Sequence, residues 1–286
     1  MEQLISVVIP AYNRETIITE SINSVLQQTY QNIEVIVVDD CSQDNTVQVV
    51  KSIKDPRVKC YALDQNRGAC YARNYGASLA KGAYIAFQDS DDLWLPEKLE
   101  KQFQYLLQSD YDLVFCGMDR KTVNGEKRFY YPESGYDEQD DPLMQILFKN
   151  RISTQCILLK ANVMKRIQFD VNIKRYQDWD FAIQASQTCK IGYLSMPLVT
   201  SEIQSNSISV NVKRLNALRV IFDKHYNLIK KYPHVEARFY YELAEESWNK
   251  SKIEARDYYR LSLKHRFVIK TFIKYVASIL GIKLSR

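Results

Sequence analysis

Histidine is scarce in this 286-residue chain, and its three copies, His225, His234 and His265, all fall in the C-terminal part. A metal centre elsewhere would have to rely on oxygen ligands, which disfavours zinc. The six cysteines (Cys41, Cys60, Cys70, Cys116, Cys156 and Cys189) show no CxxC pair and no knuckle spacing. They read as reduced, small core residues rather than a zinc site or a disulfide framework. No window approaches the ~18 uninterrupted apolar residues of a membrane span. The opening MEQLISVVIPAYNR has no basic stretch before its first apolar run, so no signal peptide is expected and a cytoplasmic location follows. GxGxxG after the first apolar segment and GxxxxGK(S/T) are both absent, which removes the dinucleotide fingerprint and the P-loop. Repeats and low-complexity segments are missing too. Acid is lacking at one end: beyond Asp257 come Arg260, Lys264, Arg266, Lys270, Lys274, Lys283 and Arg286 with no Asp or Glu among them.

With 46% hydrophobic and 26% charged residues and a net charge of +5, the chain has the composition of a soluble globular protein. Its first half alternates two patterns. LISVVIP, IEVIVV, VKCYAL and AYIAF are short apolar runs that read as buried strands. ETIITESINSVLQQ, NTVQVVKSI and ACYARNYGASLA, between them, carry helical spacing. Strands alternating with helices imply parallel crossovers, and continuous apolar runs imply a sheet covered on both faces. The expectation is an α/β fold with a mostly parallel central sheet flanked by helices. Further strands are expected in YDLVFCG, KRFYY and TQCILLK, and a helix in DWDFAIQASQ. Beyond residue 212 four helix-period segments follow one another, so residues 1–211 are expected to form one domain and 212–286 a C-terminal α-helical extension.

In such sheets ligands gather beyond the carboxyl ends of the strands. Two of these ends carry acids: IVVDD with Asp39 and Asp40, and IAFQDSDD with Asp89, Asp91 and Asp92 around Ser90. Helix capping is the ordinary use of such residues. With Pro96 as the first helical position of PEKLEKQFQYLL, the three acids come too early to cap it. Three like charges at the mouth of a core repel one another, and they suit a hard divalent cation such as Mg²⁺ or Mn²⁺. In VVDDCSQDNT, Ser42, Asp44 or Asn45 can cap the next helix, which leaves Asp39 and Asp40 free to accept from a base or a ribose. Gly68, near a helix start, permits close approach to an anion, whereas Gly76 and Gly82 read equally well as packing glycines. Asp178 in RYQDWDFAIQASQ reads first as an N-cap.

Taken in order, SVVIPAYNR, EVIVVDDCSQDNT, NRGACYARNYGASLAKGAYIAFQDSDD and QDWD resemble an inverting family 2 glycosyltransferase of GT-A fold, over about residues 4 to 210. The resemblance implies a nucleotide-diphosphate sugar donor, a UDP-sugar, with Mn²⁺ or Mg²⁺ as cofactor. It implies that Pro10, Ala11 and Tyr12 line the base pocket and that Asp39 hydrogen-bonds the base. Gly68, Asp89 and Ser90 would complete the donor site. Asp91 would be the direct metal ligand, with Asp89 near ribose and metal, and Asp178 the catalytic base. The acceptor implied is a saccharide or a lipid-linked sugar in surface polysaccharide or glycolipid synthesis, with a hexosyl or N-acetylhexosaminyl group transferred. Three residues depart from the pattern: Gln177 stands before Asp178 where an acid is usual, Glu202 and Gln204 stand where an Arg and a His are frequent, and Cys41 replaces a common Gly.

The tail lies outside the resemblance. In KHRFVIKTFIKYVASILGIK the apolar Ile269, Phe272, Ile273, Val276, Ile279 and Leu280 follow helical spacing with Lys270 and Lys274 offset from them. Such a helix can lie on an anionic membrane, pack on the catalytic part or join a second subunit. No basic stripe runs through the α/β part, so nucleic acid is not expected as a partner. Two other functions remain open: a non-catalytic sugar-nucleotide-binding protein, and a nucleotidyltransferase, for which PAYNRET is a poor phosphate grip.

Overall fold

The computed structural model describes residues 3–122, 128–132, 136–203 and 213–284. The chain forms two compact units. One comprises residues 1–146, 150–172 and 177–205; the other comprises residues 147–149, 173–176 and 206–286. The expected boundary at 211/212 falls among residues 204–212, outside the described ones.

In the first unit the expected strands are β1 (Ile5–Ala11), β2 (Ile33–Asp39), β3 (Val58–Ala62) and β4 (Tyr84–Phe87). The helices between them are α1 (Ile18–Leu26), α2 (Thr46–Ser52) and α3 (Ala69–Leu79). All seven residues of β1 and of β2 are buried, which is why both runs are apolar without alternation. Then come β5 (Asp92–Trp94), α4 (Lys98–Gln108), β6 (Leu113–Thr122), β7 (Arg128–Tyr131) and α5 (Pro142–Phe148), whose last two residues belong to the second unit. β8 (Ile157–Lys160), α6 (Gln177–Ser186) and β9 (Ile191–Ile203) complete the unit. The sheet order is β3-β2-β1-β4-β8-β6-β9-β5, with β7 on β6. Parallel pairing holds from β3 to β4. Beyond β4 the sheet becomes mixed, because β8 runs antiparallel to both β4 and β6, while β9 runs parallel to β6.

Two glycines set how closely α3 and the start of β4 approach β1. A Cβ at Gly76 would lie 2.4 Å from Val8 Cγ1, and one at Gly82 only 2.5 Å from the Leu4 carbonyl oxygen. Packing is therefore the use of both.

Helix α4 starts at Lys98 with Glu97 as its cap residue, so Pro96 precedes the helix rather than opening it. Lys98 is fully buried. Its ammonium sits 3.7 Å from the ring centroid of Trp94 and has no hydrogen-bond partner among the described residues. Burial pushes its pKa down to about 8, against a smaller opposing pull from the thiols of Cys116 and Cys156. The folded pKa is the depressed one, so the folded chain binds fewer protons between about 8 and the ordinary 10.5, and stability must rise with pH across that window. Urea unfolding should show the native chain gaining up to about 3 kcal/mol there relative to Lys98→Met. Parallel pH profiles for the two proteins would show that Lys98 is not the titrating group.

The second unit holds α7 (Arg214–Ile229), α8 (Pro233–Ser247), α9 (Lys252–His265) and α10 (Ile269–Ile279), as the helical periodicity requires. Arg214 joins α7 to α8 through Glu242 at 2.7 Å and Glu246 at 2.8 Å. Ser262 Oγ donates to the Ala237 carbonyl at 2.7 Å and joins α9 to α8. Helix α10 is turned opposite to the ordinary amphipathic arrangement. Its inward face is Thr271, Lys274, Ala277 and Ser278, with the Lys274 ammonium 2.7 and 2.8 Å from the two carboxylate oxygens of Glu245. Its apolar stripe points outward. The expected basic face is corrected accordingly: Lys270 is exposed, but Lys274 is buried because Glu245 receives it. No described helix is long and apolar enough to cross a membrane.

Candidate active site

Strands β1, β2 and β3 end level, with Ala11 opposite Asp39 and Asp39 opposite Ala62. β4 stops at Phe87 beside Val8. The chain then continues along the same edge: Gln88 N–H donates to the Val8 carbonyl at 3.0 Å, and Ser21 Oγ donates to the Asp89 carbonyl at 2.9 Å. β2 and β4 flank β1, so their ends are two strand spacings apart, roughly 10 Å. Both acidic strand ends thus open onto one crevice of the kind where α/β sheets hold ligands.

On the β1 side, Pro10 and Ala11 lie inside the strand and are buried, whereas Tyr12, the next residue, is 42% exposed. Asp39 and Asp40 are not the free carboxylates expected. Asp39 is buried and accepts from Ser42 N at 2.9 Å and Ser42 Oγ at 2.5 Å. Asp40, also buried, accepts from Arg67 N and Gly68 N, both at 2.7 Å. The backbone donors exposed by the turns at 42 and 67–68 claim these acids before any ligand does. A carboxylate offers about four acceptor sites, so Asp39 retains capacity for a further donor. Asp44 takes the capping work, accepting from Thr46 N at 3.0 Å. Gly68 adopts φ +89° at the start of α3, with open space where a Cβ would be, so backbone conformation rather than crowding calls for glycine.

On the β4 side, each of the first two acids has an arginine. Arg73 Nη2 donates to Asp89 Oδ1 at 2.7 Å, and Arg14 Nη2 lies 3.9 Å from Asp91 Oδ2. Asp91 nevertheless has its pKa raised, first by burial and then by the charge of Asp89, with Arg14 and Arg73 only partly offsetting this. Asp92 is buried at the start of β5, opposite Ser201 of β9. Burial, then Asp89 and Asp91, push its carboxyl well above the usual range. Ser90 is buried between these acids in sequence.

Asp178 joins the same electrostatic cluster from α6. The helix starts at Gln177, so Asp178 lies one residue inside it, and its Oδ1 accepts from the adjacent Trp179 N at 2.8 Å. The N-cap reading therefore fails. Burial raises its pKa most, Asp89 adds to the rise, and hydrogen bonds from Trp179 and Asn150 together with the charge of Arg73 lower it. Arg73 is the link: while Nη2 holds Asp89, Nη1 donates to Gln177 Oε1 at 3.1 Å. The departure at 177 thus replaces an acid with a neutral acceptor for a buried arginine. Nothing in the spacing of the chain singles out Arg73 or Arg14, because their partners stand 16, 104 and 77 residues away.

Among the described residues no three His, Cys, Asp or Glu side chains form a ready-made metal cage. The oxygen donors and the uncompensated charge at Asp91 fit a hard divalent cation that keeps water and substrate phosphates in its shell, as Mg²⁺ habitually does. Glu202 is exposed near the end of β9. Gln204 lies outside the described residues.

The sequence profile of Glycosyl transferase family 2 matches residues 6–166. An uncharacterized glycosyltransferase of Haemophilus influenzae is 31% identical over 224 residues, 75% of this chain and 84% of that one. The Escherichia coli UDP-Glc:alpha-D-GlcNAc-diphosphoundecaprenol beta-1,3-glucosyltransferase WfaP is 43% identical over 104 residues, 36% of this chain and 41% of that enzyme. The match thus spans less than half of WfaP. Among solved structures, the mannosyltransferase PcManGT from Pyrobaculum calidifontis, in complex with GDP-Man and Mn²⁺, aligns with a TM-score of 0.65. That alignment covers 98% of this chain and 81% of the other at 16% identity, which bears on the fold alone. The profile takes in more than half of the chain, including both acidic strand ends and the two arginines set against them, and the fold agrees: this chain is a GT-A glycosyltransferase that belongs to glycosyl transferase family 2.

Proposed function

We propose that this glycosyltransferase is metal-dependent and inverting, moving a hexosyl or N-acetylhexosaminyl group from a UDP-sugar to a hydroxyl of a saccharide or lipid-linked acceptor at the inner face of the cytoplasmic membrane. The observation that carries the reading is the Arg73 fork. One buried guanidinium grips both Asp89, near the leaving group on this reading, and Gln177, the neighbour of the candidate base Asp178. The name of WfaP supports UDP as the nucleotide and a diphosphoundecaprenol-linked acceptor. PcManGT, with GDP-Man, is much less similar in sequence. On this reading residues 1–211 are the catalytic domain and 212–286 an extension.

Each residue then has a task. Tyr12 offers its exposed ring to the base, Pro10 and Ala11 form the wall behind it, and Asp39 uses its remaining acceptor capacity for a base N–H. Gly68 leaves room for the phosphates near the start of α3, and Ser90 and Asp89 shape the ribose and phosphate side. Asp91, with Asp89, holds Mn²⁺ or Mg²⁺, which supplies Lewis-acid neutralisation of the departing diphosphate. Asp178, with its raised proton affinity, takes the proton of the acceptor hydroxyl as that oxygen attacks the anomeric carbon opposite the leaving group. A single displacement inverts the centre.

Gln177 motivates a second reading, a sugar-nucleotide-binding protein without turnover. One screen separates the two. UDP-glucose, UDP-N-acetylglucosamine and GDP-mannose are offered with Mn²⁺ or Mg²⁺ while melting and slow donor hydrolysis are followed. A UDP-sugar with metal at about 100 times its Kd should stabilise the fold by about 2.7 kcal/mol. Asp91→Ala or excess chelator should cancel that gain. Full turnover in chelator would remove the metal from the proposal; stabilisation with no hydrolysis and no transfer to any acceptor would favour the binding protein.

A further inference from the structure

Ten of the eighteen large hydrophobic side chains exposed among the described residues lie within residues 267–284. Singly exposed apolar residues need no explanation, but a contiguous apolar patch marks an interaction surface. Here Phe267 (66% exposed), Ile269 (69%) and Leu280 (69%), with Phe272, Ile273 and Ile279, form one side of α10 and its flanks. The opposite side of the helix is held to the second unit by the buried Lys274–Glu245 pair. A lysine is thus spent in the interior while a row of isoleucines and phenylalanines is turned outward, the reverse of what a helix evolved to face water would show.

We propose that this face of α10 docks on the surface of an anionic phospholipid bilayer. Charge decides between the occupants. No acid follows Asp257, and Lys264, Arg266, Lys270 and Lys283 are exposed around the patch. A second copy of the chain in a two-fold contact would bring the same patch and the same basic residues against themselves. A bilayer carrying negative headgroups offers both an apolar interior and the opposite charge. A cavity of about 200 Å³ beside the start of α10 agrees with this. Arg238, Arg266 and Lys270 contribute its cations, and Phe148, Tyr241 and Val268 its apolar wall, a combination that suits a phosphate headgroup with the beginning of its acyl chain. The inference does not depend on the sugar chemistry proposed above, because bare vesicles carry no acceptor.

The test is sedimentation of the full chain with vesicles of phosphatidylglycerol, and with vesicles of phosphatidylcholine alone. The protein is expected to pellet with the former, far less with the latter, and to be released by salt. Replacing Ile269 and Phe272 by aspartate should lower binding at least about tenfold, as should Arg266→Glu with Lys270→Glu, while donor hydrolysis stays at its native rate. Phe272→Trp gives a folding-independent reading: its emission should shift to the blue only when phosphatidylglycerol is added. The proposal is overturned if the native chain stays in the supernatant, if the aspartate variants pellet like it, or if those aspartates instead dissociate a solution dimer that ignores vesicles.

Discussion

Asp178→Asn should bind a UDP-sugar as tightly as the native chain and transfer it roughly 10²- to 10⁴-fold more slowly, the range associated with loss of one general base. The side chain keeps its size and can still accept from Trp179 N, so α6 has no reason to move; what disappears is the ability to receive a proton. Its pH signature follows from the cluster around it. The base works only when ionised, and burial with the neighbouring Asp89 raises its pKa above the aspartate norm. The low-pH limb of kcat should therefore lie above that of an ordinary aspartate and vanish in the asparagine variant. Stopped-time transfer assays across pH, with donor affinity measured separately, check both halves. Transfer at the native rate by the variant would take Asp178 out of the chemistry.

Lys274→Ala should cost the second unit about 3 to 5 kcal/mol, since it removes the buried ammonium that faces both carboxylate oxygens of Glu245. Tyr259 also donates to Glu245, but a phenol does not supply the positive charge that the ammonium does. Lys274→Met combined with Glu245→Gln should recover most of the loss, because it removes both charges while keeping the volume and an acceptor for Tyr259. Urea unfolding followed by circular dichroism measures both. A single-variant loss below about 1 kcal/mol, typical of a solvated pair, would mean that α10 is not anchored in this way.

How far the sequence could be read depended on the distance between interacting residues. β1 to β4 were visible because strands buried on both faces become unbroken apolar runs, and the crevice followed from which of them ended in acids. β5, three residues long, is too short to produce any pattern. β9 was hidden by Pro197 and by the irregular register near Gly117 of its partner, which breaks the alternation a strand usually writes. Asp40 reads as free in the sequence for a similar reason, since its donors sit 27 and 28 residues away; Asp39 differs, being held by Ser42, only three residues on, which the sequence offers equally as a helix cap. The periodicity of α10 was legible, yet not its orientation, which hinges on Glu245, 29 residues earlier. Spacing pointed to the acids of the site, whereas their arginine partners emerged only from the fold.

The two arginines set against Asp89 and Asp91 have a consequence for the resting enzyme. Many small metal proteins collapse when stripped, because their ligands repel one another once the ion leaves. Here Arg14 and Arg73 sit against Asp91 and Asp89 and offset part of their charge, so the crevice carries some of its compensation in its own side chains. Part of the neutralisation is thus built into the polypeptide, and on the mechanism proposed above a cation would add to it where the diphosphate departs.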